Sequence, residues 1–182
     1  MDYFDRMRLH LEESWGPPLR AIDWAEGLRD VLDPKFRVWV FRWPHDDVLA
    51  YVTVGMANGS DAGGIELFLL VREVDDDRTL AELLFATAHY HVTGHPLALS
   101  LSVNFGRPWL KQSQCTRGLV SLPYLDGPKL ERPIGLPVRV LWLLPVTESE
   151  LAFRREHGLE ALEKLFEETR FDYLDPLRKA VA

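Results

Sequence analysis

Cysteine is almost absent from this sequence, since Cys115 is the one cysteine among 182 residues. An internal disulfide needs two cysteines, so the disulfide-stapled small secreted proteins are excluded. Long apolar runs are lacking as well. The apolar stretches have the length of a strand, as in residues 65–71, which Glu66 interrupts, and none approaches the ~20 residues that span a bilayer. We therefore expect no membrane-spanning segment and no membrane partner.

Basic charge is also in short supply, with 21 lysines and arginines against 28 acidic residues and a net charge of −7. Binding to nucleic acid requires a clustered basic face, so nucleic acid is excluded as a direct ligand. An acidic protein suits a basic protein partner, because opposite charges speed the encounter. Residues 1–5 are acidic where a secretory signal would be basic, and together with the lone cysteine this predicts a cytoplasmic protein.

Motifs for phosphate binding and for serine chemistry are missing. Gly63 and Gly64 precede a predicted strand, so they lack the helix N-terminus that would hold a phosphate. No serine stands in the strand-to-helix turn that exposes a nucleophile in the hydrolases. The sequence therefore predicts neither a nucleotide site nor a serine hydrolase.

Three histidines and the cysteine are the remaining candidates for chemistry. His89 and His91 lie two positions apart on a predicted helix, about 200° around its axis, so they point to opposite sides. Cys115 starts an apolar strand, which is typical of a small buried hydrophobe. We predict no catalytic residue, no metal site and no cofactor. The alternative that stays open is a small metal- or thiol-dependent enzyme that uses His89, His91, His95 and Cys115.

The length and composition are typical of one domain over residues 1–182, with 47% hydrophobic and 27% charged residues. Helices are predicted over residues 2–14 and 79–92, and a further helix over 21–32 stays open. Strands are predicted over residues 36–43, 48–54, 64–71, 97–103, 116–123 and 138–144. This order indicates an α+β fold with a mixed, largely antiparallel sheet of about six strands packed with helices.

The most informative segment runs from the last predicted strand into two consecutive helices, residues 141–158 and then 159–170. Thr147 and Glu150 form a capping-box pattern, in which each side chain accepts from the other residue's amide. Gly158 follows the first helix, where a glycine in a left-handed conformation commonly ends a helix. These residues set geometry and supply no reactive chemistry, so they predict a scaffold.

This segment resembles the suppressor-of-fused domain family, in which a strand ending in Pro-Val-Thr or its like leads to an acidic helix, Glu-His-Gly and a leucine-rich helix. Residues 51–56, 83–94 and 119–125 resemble further pieces of that family in the same order, so the resemblance covers most of residues 36–170. It implies a single-domain bacterial member of the family. Proteins similar to it in animals hold a transcription factor's peptide, partly as an added strand, and the bacterial relatives look like immunity proteins of polymorphic toxin systems.

We therefore expect a non-enzymatic, protein-binding module whose partner is a protein, which in the immunity role is a basic toxin. Acidic groups at a turn and before a helix would attract such a partner. Trp109, in a predicted loop between two basic residues, could anchor it. The candidate contacts are Asp46, Asp47, Asp75, Asp76, Asp77 and Trp109. The oligomeric state, the binding face and the identity of the partner stay open.

Overall fold

A seven-stranded sheet and five helices make up the part of the chain that the computed structural model describes, residues 1–23, 31–45, 47–57, 64–72 and 76–182. The strands are β1 (Arg20–Ile22), β2 (Arg37–Arg42), β3 (Val48–Val54), β4 (Gly64–Arg72), β5 (Ser102–Asn104), β6 (Arg117–Ser121) and β7 (Val138–Val146). The helices are α1 (Tyr3–Trp15), α2 (Asp77–Val92), α3 (Pro128–Glu131), α4 (Glu148–His157) and α5 (Leu159–Thr169). No helix in these ranges is both long and apolar enough to cross a membrane.

The strands lie in the order β1-β2-β3-β4-β7-β6-β5. Strands β4 and β7 run parallel, and the other neighbouring pairs are antiparallel. The parallel pair is central and buried on both faces, which explains why both strands read as nearly unbroken apolar runs. The predicted α+β fold with a mixed, largely antiparallel sheet is confirmed, with one strand more than the six expected.

Each face of the sheet carries its own hydrophobic core, because successive side chains of a strand point to opposite faces. Val38 and Val40 of β2 belong to the core that α2 covers, while Phe41 and Trp43 belong to the core under the other four helices. The side chains of this strand therefore alternate between the two cores. Helices lie on both sides of the sheet, and neither face is left to solvent over its central strands.

A charged side chain, Glu66, lies fully buried near the start of β4. Its carboxylate accepts hydrogen bonds from the hydroxyls of Tyr3 and Thr53 at 2.5 and 2.6 Å. It also accepts from the backbone amides of the turn after β3, namely those of Gly55, Met56 and Ala57 at 2.8, 3.3 and 3.2 Å. Burial raises the pKa of Glu66, and these hydrogen bonds to the ionised form oppose that rise.

The turn itself requires glycine at position 55. Gly55 has φ +111°, a conformation that side-chain-bearing residues rarely adopt. A Cβ atom there would also lie 2.9 Å from the ring of Phe4 and 3.1 Å from the Cα atom of Phe36. The turn therefore packs directly beneath α1. Glu66 binds both the turn and the helix and so holds both against the sheet.

Three elements differ from the sequence prediction. Residues 20–22 form β1, which pairs with β2, where a helix over 21–32 was left open; residues 24–30 of that span lie outside the described residues. The strand predicted over 97–103 is shortened to β5, because Leu97 donates its amide to Nδ1 of His91 and Leu101 donates to the carbonyl of Ala98. The short α3 interrupts a predicted loop and begins at Pro128, a residue favoured in the first helical turn.

Replacing Glu66 with alanine should strongly destabilise the protein. The substitution leaves three buried amides and two hydroxyls without their acceptor, and we expect a loss of about 3–5 kcal/mol in the free energy of unfolding. The matched control is Glu160→Ala on the exposed face of α5, which should change the same quantity by less than about 0.5 kcal/mol. Urea unfolding followed by circular dichroism measures both. Equal, small losses of unfolding free energy in the two variants would show that the buried carboxylate does not stabilise the protein.

Candidate partner-binding edge

The short strand β5 forms one edge of the sheet, next to β6. Val120 donates its amide to the carbonyl of Leu101, and Phe105 donates its amide to the carbonyl of Thr116. Backbone groups alternate in direction along an antiparallel strand. The N–H and C=O groups of Ser102 and Asn104 therefore point away from β6, and both side chains are exposed. This arrangement offers a backbone template to which another extended chain can pair.

A hollow of about 280 Å³ lies beside this edge, between the end of α2 and Arg154 of α4. Exposed rings and aliphatic groups line it, including Tyr90 and Leu101, which are 40% and 46% exposed. His95 stacks on Tyr90 with ring centroids 4.3 Å apart. A chain paired with β5 could therefore also place a side chain against an apolar surface.

The basic residues around this edge already have partners. Arg107 contacts Glu82 at 2.9 Å, and Arg117 contacts Glu148 at 2.5 Å. Arg154 donates to the backbone carbonyl of Ser100. The edge therefore combines outward-facing backbone groups with two ion-paired arginines, while Arg154 keeps its charge because a neutral carbonyl does not cancel it.

The predicted acidic contacts are dispersed and partly engaged. Asp77 receives two hydrogen bonds from Arg20 and one from the hydroxyl of Tyr51, all at 2.5 Å, and the Arg20 guanidinium lowers its pKa. Asp76 is the N-cap of α2 and accepts from the amide of Thr79. Asp47 is 94% exposed and lies 4.0 Å from Arg42.

Asp46 and Asp75 lie outside the described residues. Of the acidic residues predicted as contacts, Asp47 therefore presents its carboxylate to solvent, while Asp77 ties the start of α2 to β1 and to Tyr51 of β3. The role of this acidic group in partner binding stays a prediction.

Trp109, a candidate partner contact in the sequence, is buried in the structure. Its side chain is 1% exposed and belongs to the core beneath α2. The indole Nε1 donates to Oγ of Ser113 at 3.0 Å, and the backbone amide donates to the carbonyl of Cys115 at 3.0 Å. The loop folds the indole of Trp109 inward, because a large aromatic side chain gains much from burial. In this conformation Trp109 offers no surface to a partner.

The histidines and the cysteine do not form a metal site in the described part of the chain. Within those residues, no group of three or more histidine, cysteine or acidic side chains is placed to hold a metal ion. Nδ1 of His91 accepts from the amide of Leu97, and burial lowers the pKa of His91. Cys115 is 1% exposed, and burial raises the pKa of its thiol, which disfavours the reactive thiolate.

A buried ion pair joins the C-terminal segment to α4. Arg178 contacts both carboxylate oxygens of Glu150 at 2.6 and 2.8 Å and donates to the carbonyl of Pro145 at 3.0 Å. Glu150 also completes the predicted capping box, which is confirmed, by accepting from the amide of Thr147. The sequence did not reveal Arg178 as the partner of Glu150, because 28 residues separate the two and no local pattern links them.

Opposing effects act on Glu150. Burial by itself would raise its pKa, but the guanidinium of Arg178 and the amides of Thr147 and Val181 outweigh burial, so the pKa of Glu150 falls below its ordinary value of 4.5. The two charged side chains bind each other, and each also forms hydrogen bonds with backbone groups. This pair therefore fixes structure and leaves no group available for proton transfer.

A seven-stranded mixed sheet with helices on both faces, a paired β4–β7 centre and an edge strand defines the class of this protein as an α+β scaffold. The sequence profile of the Suppressor of fused protein (SUFU) family matches residues 33–179. The chain therefore belongs to the suppressor-of-fused family, as its sequence predicted.

Solved structures agree with this assignment. The chain is similar to the SUFU homologue of Neisseria gonorrhoeae FA 1090, with 33% identity, a TM-score of 0.86 and coverage of 100% of this chain and 98% of that one. It shares its fold with the suppressor-of-fused structure in the Sufu–Fu complex, with 16% identity, a TM-score of 0.70 and coverage of 98% and 92%.

Drosophila Suppressor of Fused has the same fold at 16% identity and a TM-score of 0.67, and 98% of this chain matches 50% of that chain. The present sequence thus spans about half the length of the fly protein. Among curated proteins, none matches the sequence significantly.

The variant Glu150→Gln should show a flatter loss of stability in acid. A folded-state pKa below 4.5 contributes stability above the unfolded pKa, and this stability disappears as the pH falls through the folded pKa. The variant lacks this contribution and leaves Arg178 buried without its anion, so we expect it to be about 3 kcal/mol less stable at pH 7. Urea unfolding at a series of pH values tests this, with Glu160→Gln as the exposed control. If the stability of the variant fell with pH in parallel with that of the wild type, the lowered pKa of Glu150 in the folded protein would be contradicted.

Proposed function

We propose that this chain is a non-enzymatic, protein-binding module that captures a polypeptide partner by pairing it with the edge of β5. The outward-pointing backbone groups of Ser102 and Asn104 carry the proposal. Pairing of this kind gains hydrogen bonds regardless of sequence, and neighbouring pockets provide the selection between partners. The hollow at Tyr90 and Leu101 is placed to accept a side chain of the added strand.

The family supports a binding role over a catalytic one. One relative with the same fold is named as part of a complex between Sufu and Fu, so that protein assembles with another protein. In the present chain the buried ionisable groups hold the fold together: Glu66 fastens a turn and α1, and Glu150 pairs with Arg178. Such groups stabilise a rigid scaffold, and the surface of that scaffold binds the partner.

As the specific biological role, the chain acts in the bacterial cytoplasm as an immunity protein that neutralises a basic toxin. A net charge of −7 favours the approach of a cationic protein over long distances. Exposed carboxylates such as Asp47 add to that attraction. Strand addition at β5 would then hold the toxin in place, and a bound surface that overlaps the toxin's working face would block it.

Proline at position 102 should release the partner without unfolding the protein. The N–H group of Ser102 does not pair with β6, so the Ser102→Pro substitution removes the donor that an added strand would use and places a ring at the edge. Ser102→Ala keeps that donor and is the matched control. We expect a co-purified partner from extracts of the native cell to be lost with Ser102→Pro and kept with Ser102→Ala, as measured by affinity capture and quantitative mass spectrometry.

The immunity role is tested in the same cells by growth. Co-expression of the wild-type chain should rescue growth in the presence of a toxin encoded beside its gene, and Ser102→Pro should rescue it poorly. Thermal unfolding of both variants checks that they fold. Equal capture by the proline and alanine variants would contradict pairing at β5, and capture of no partner together with turnover of a small molecule would overturn the binding function.

A further inference from the structure

Arg154 of α4 brings a positive charge to the start of the edge strand β5. Its half-buried side chain lines the hollow beside the edge, and its guanidinium donates to the backbone carbonyl of Ser100. Within the described part of the chain, no carboxylate lies within salt-bridge distance of Arg154. Its other N–H groups have no acceptor in those ranges either, and none of them is enclosed away from solvent. The guanidinium therefore keeps donors and a full charge for an incoming group.

A bulge in the sheet fixes the position of this guanidinium. Ser100 donates its amide to the carbonyl of Val120, and Val120 donates its own amide to the carbonyl of Leu101, both at 2.8 Å. Two residues of the edge thus face one residue of β6, and Ser100 has φ +71°, a left-handed conformation typical of such bulges. The carbonyl of Ser100 stays outside the ladder and accepts from Arg154. The cation is therefore held two residues before Ser102, where the outward-facing backbone groups begin.

Arg154 and the side chain of Ser102 lie on the same side of the sheet. Ser102 pairs with Leu119 of β6, whose side chain belongs to the core on which α4 packs. Residues directly opposite each other on antiparallel strands point to the same face, so Ser102 points to the side of α4. Val103 belongs to the core on the other face, which α2 covers, and Tyr90 at the end of α2 borders the hollow from there. The hollow therefore has a cationic side and an aromatic side.

We propose that the polypeptide added at β5 carries a glutamate or aspartate opposite Ser102, and that the carboxylate of this residue pairs with Arg154. The residue opposite Ser102 in an added strand points to the face of Arg154. Its two neighbours point to the face of Tyr90, where apolar side chains suit the wall of the hollow. A lysine opposite Ser102 would instead bring a second cation beside Arg154.

The inference rests on the proposed function in taking the partner to bind as a strand at β5, and it adds the chemistry of one residue of that strand. A partner that is basic as a whole is compatible with one carboxylate at this position. The net charge of −7 acts on the approach of the partner, whereas a single ion pair at the edge fixes the register in which the strand pairs.

Three short peptides test the proposal without the native partner. Each has the sequence acetyl-Lys-Thr-Val-X-Val-Thr-Lys-amide, in which X is glutamate, glutamine or lysine, and the valines favour an extended chain. Binding is followed by the backbone amide signals of Ser102 and Asn104 in two-dimensional NMR spectra at millimolar peptide. We expect the glutamate peptide to bind roughly fivefold more tightly than the glutamine peptide, and the lysine peptide to bind most weakly. The net charge of the protein by itself would favour the reverse order, so this preference reports a local pair.

Variants of α4 separate the charge of Arg154 from its hydrogen bond to the bulge. Arg154→Gln keeps a side-chain donor near the carbonyl of Ser100 and should abolish the preference for the glutamate peptide. Arg154→Lys keeps the charge and should retain part of the preference, which should weaken with added salt. Arg155→Gln removes the same charge at the adjacent position, where the guanidinium pairs with Glu148 at 3.0 Å, and should leave the preference unchanged. Thermal unfolding of each variant verifies that the fold is kept.

Equal binding of the glutamate and glutamine peptides to the wild type would overturn the proposal, and so would a glutamate preference that persists in Arg154→Gln. In either case, shifts at Ser102 and Asn104 that Ser102→Pro abolishes at Asn104 would leave strand pairing intact and refute the contact with Arg154 alone. The absence of any shift with all three peptides would contradict pairing at β5 itself, and this inference would fall with it.

Discussion

The contact between the carboxylate of Glu66 and the turn after β3 is the constraint on which the architecture depends. Three backbone amides of that turn and the hydroxyl of Tyr3 converge on one side chain near the start of β4. Without an internal acceptor, these amides would be buried and unpaired, and without the donors the carboxylate could not be buried. One residue thereby fixes the end of β3, the start of α1 and the central strand relative to each other, and both cores are built on this frame.

The ionisable groups inside this protein maintain its shape, and the groups available for recognition lie at its margins. Glu150 and Arg178 neutralise each other beneath the C-terminal segment, and the thiol of Cys115 is buried in the core under α2. By contrast, the backbone of Ser102 and the side chain of Arg154 lie together at an edge of the sheet. This distribution is what a scaffold for binding another protein requires: a frame that does not yield and an edge that combines backbone groups with a charge.

Features set by neighbouring residues could be predicted from the sequence, and those set by distant ones could not. Thr147 and Glu150 of the capping box lie three positions apart, so this pattern was recognisable. The bond from Tyr3 to Glu66 spans 63 residues, and only the isolated charge within an apolar strand hinted at a buried carboxylate. The amide of Leu97 donates to His91, which lies in another element, α2. This hydrogen bond shortens the strand that becomes β5. Burial of Trp109 depended on how its loop folds back, which no pattern encodes.

Native-state hydrogen exchange measures the central constraint directly. If Glu66 locks the frame, the amides of Gly55, Met56 and Ala57 exchange only when the whole protein unfolds, with the same opening free energy as the central amides of β4 and β7. Exchange of these three amides through local opening, at a free energy well below that of global unfolding, would contradict the account, because the turn would then move independently of the sheet to which the carboxylate should hold it.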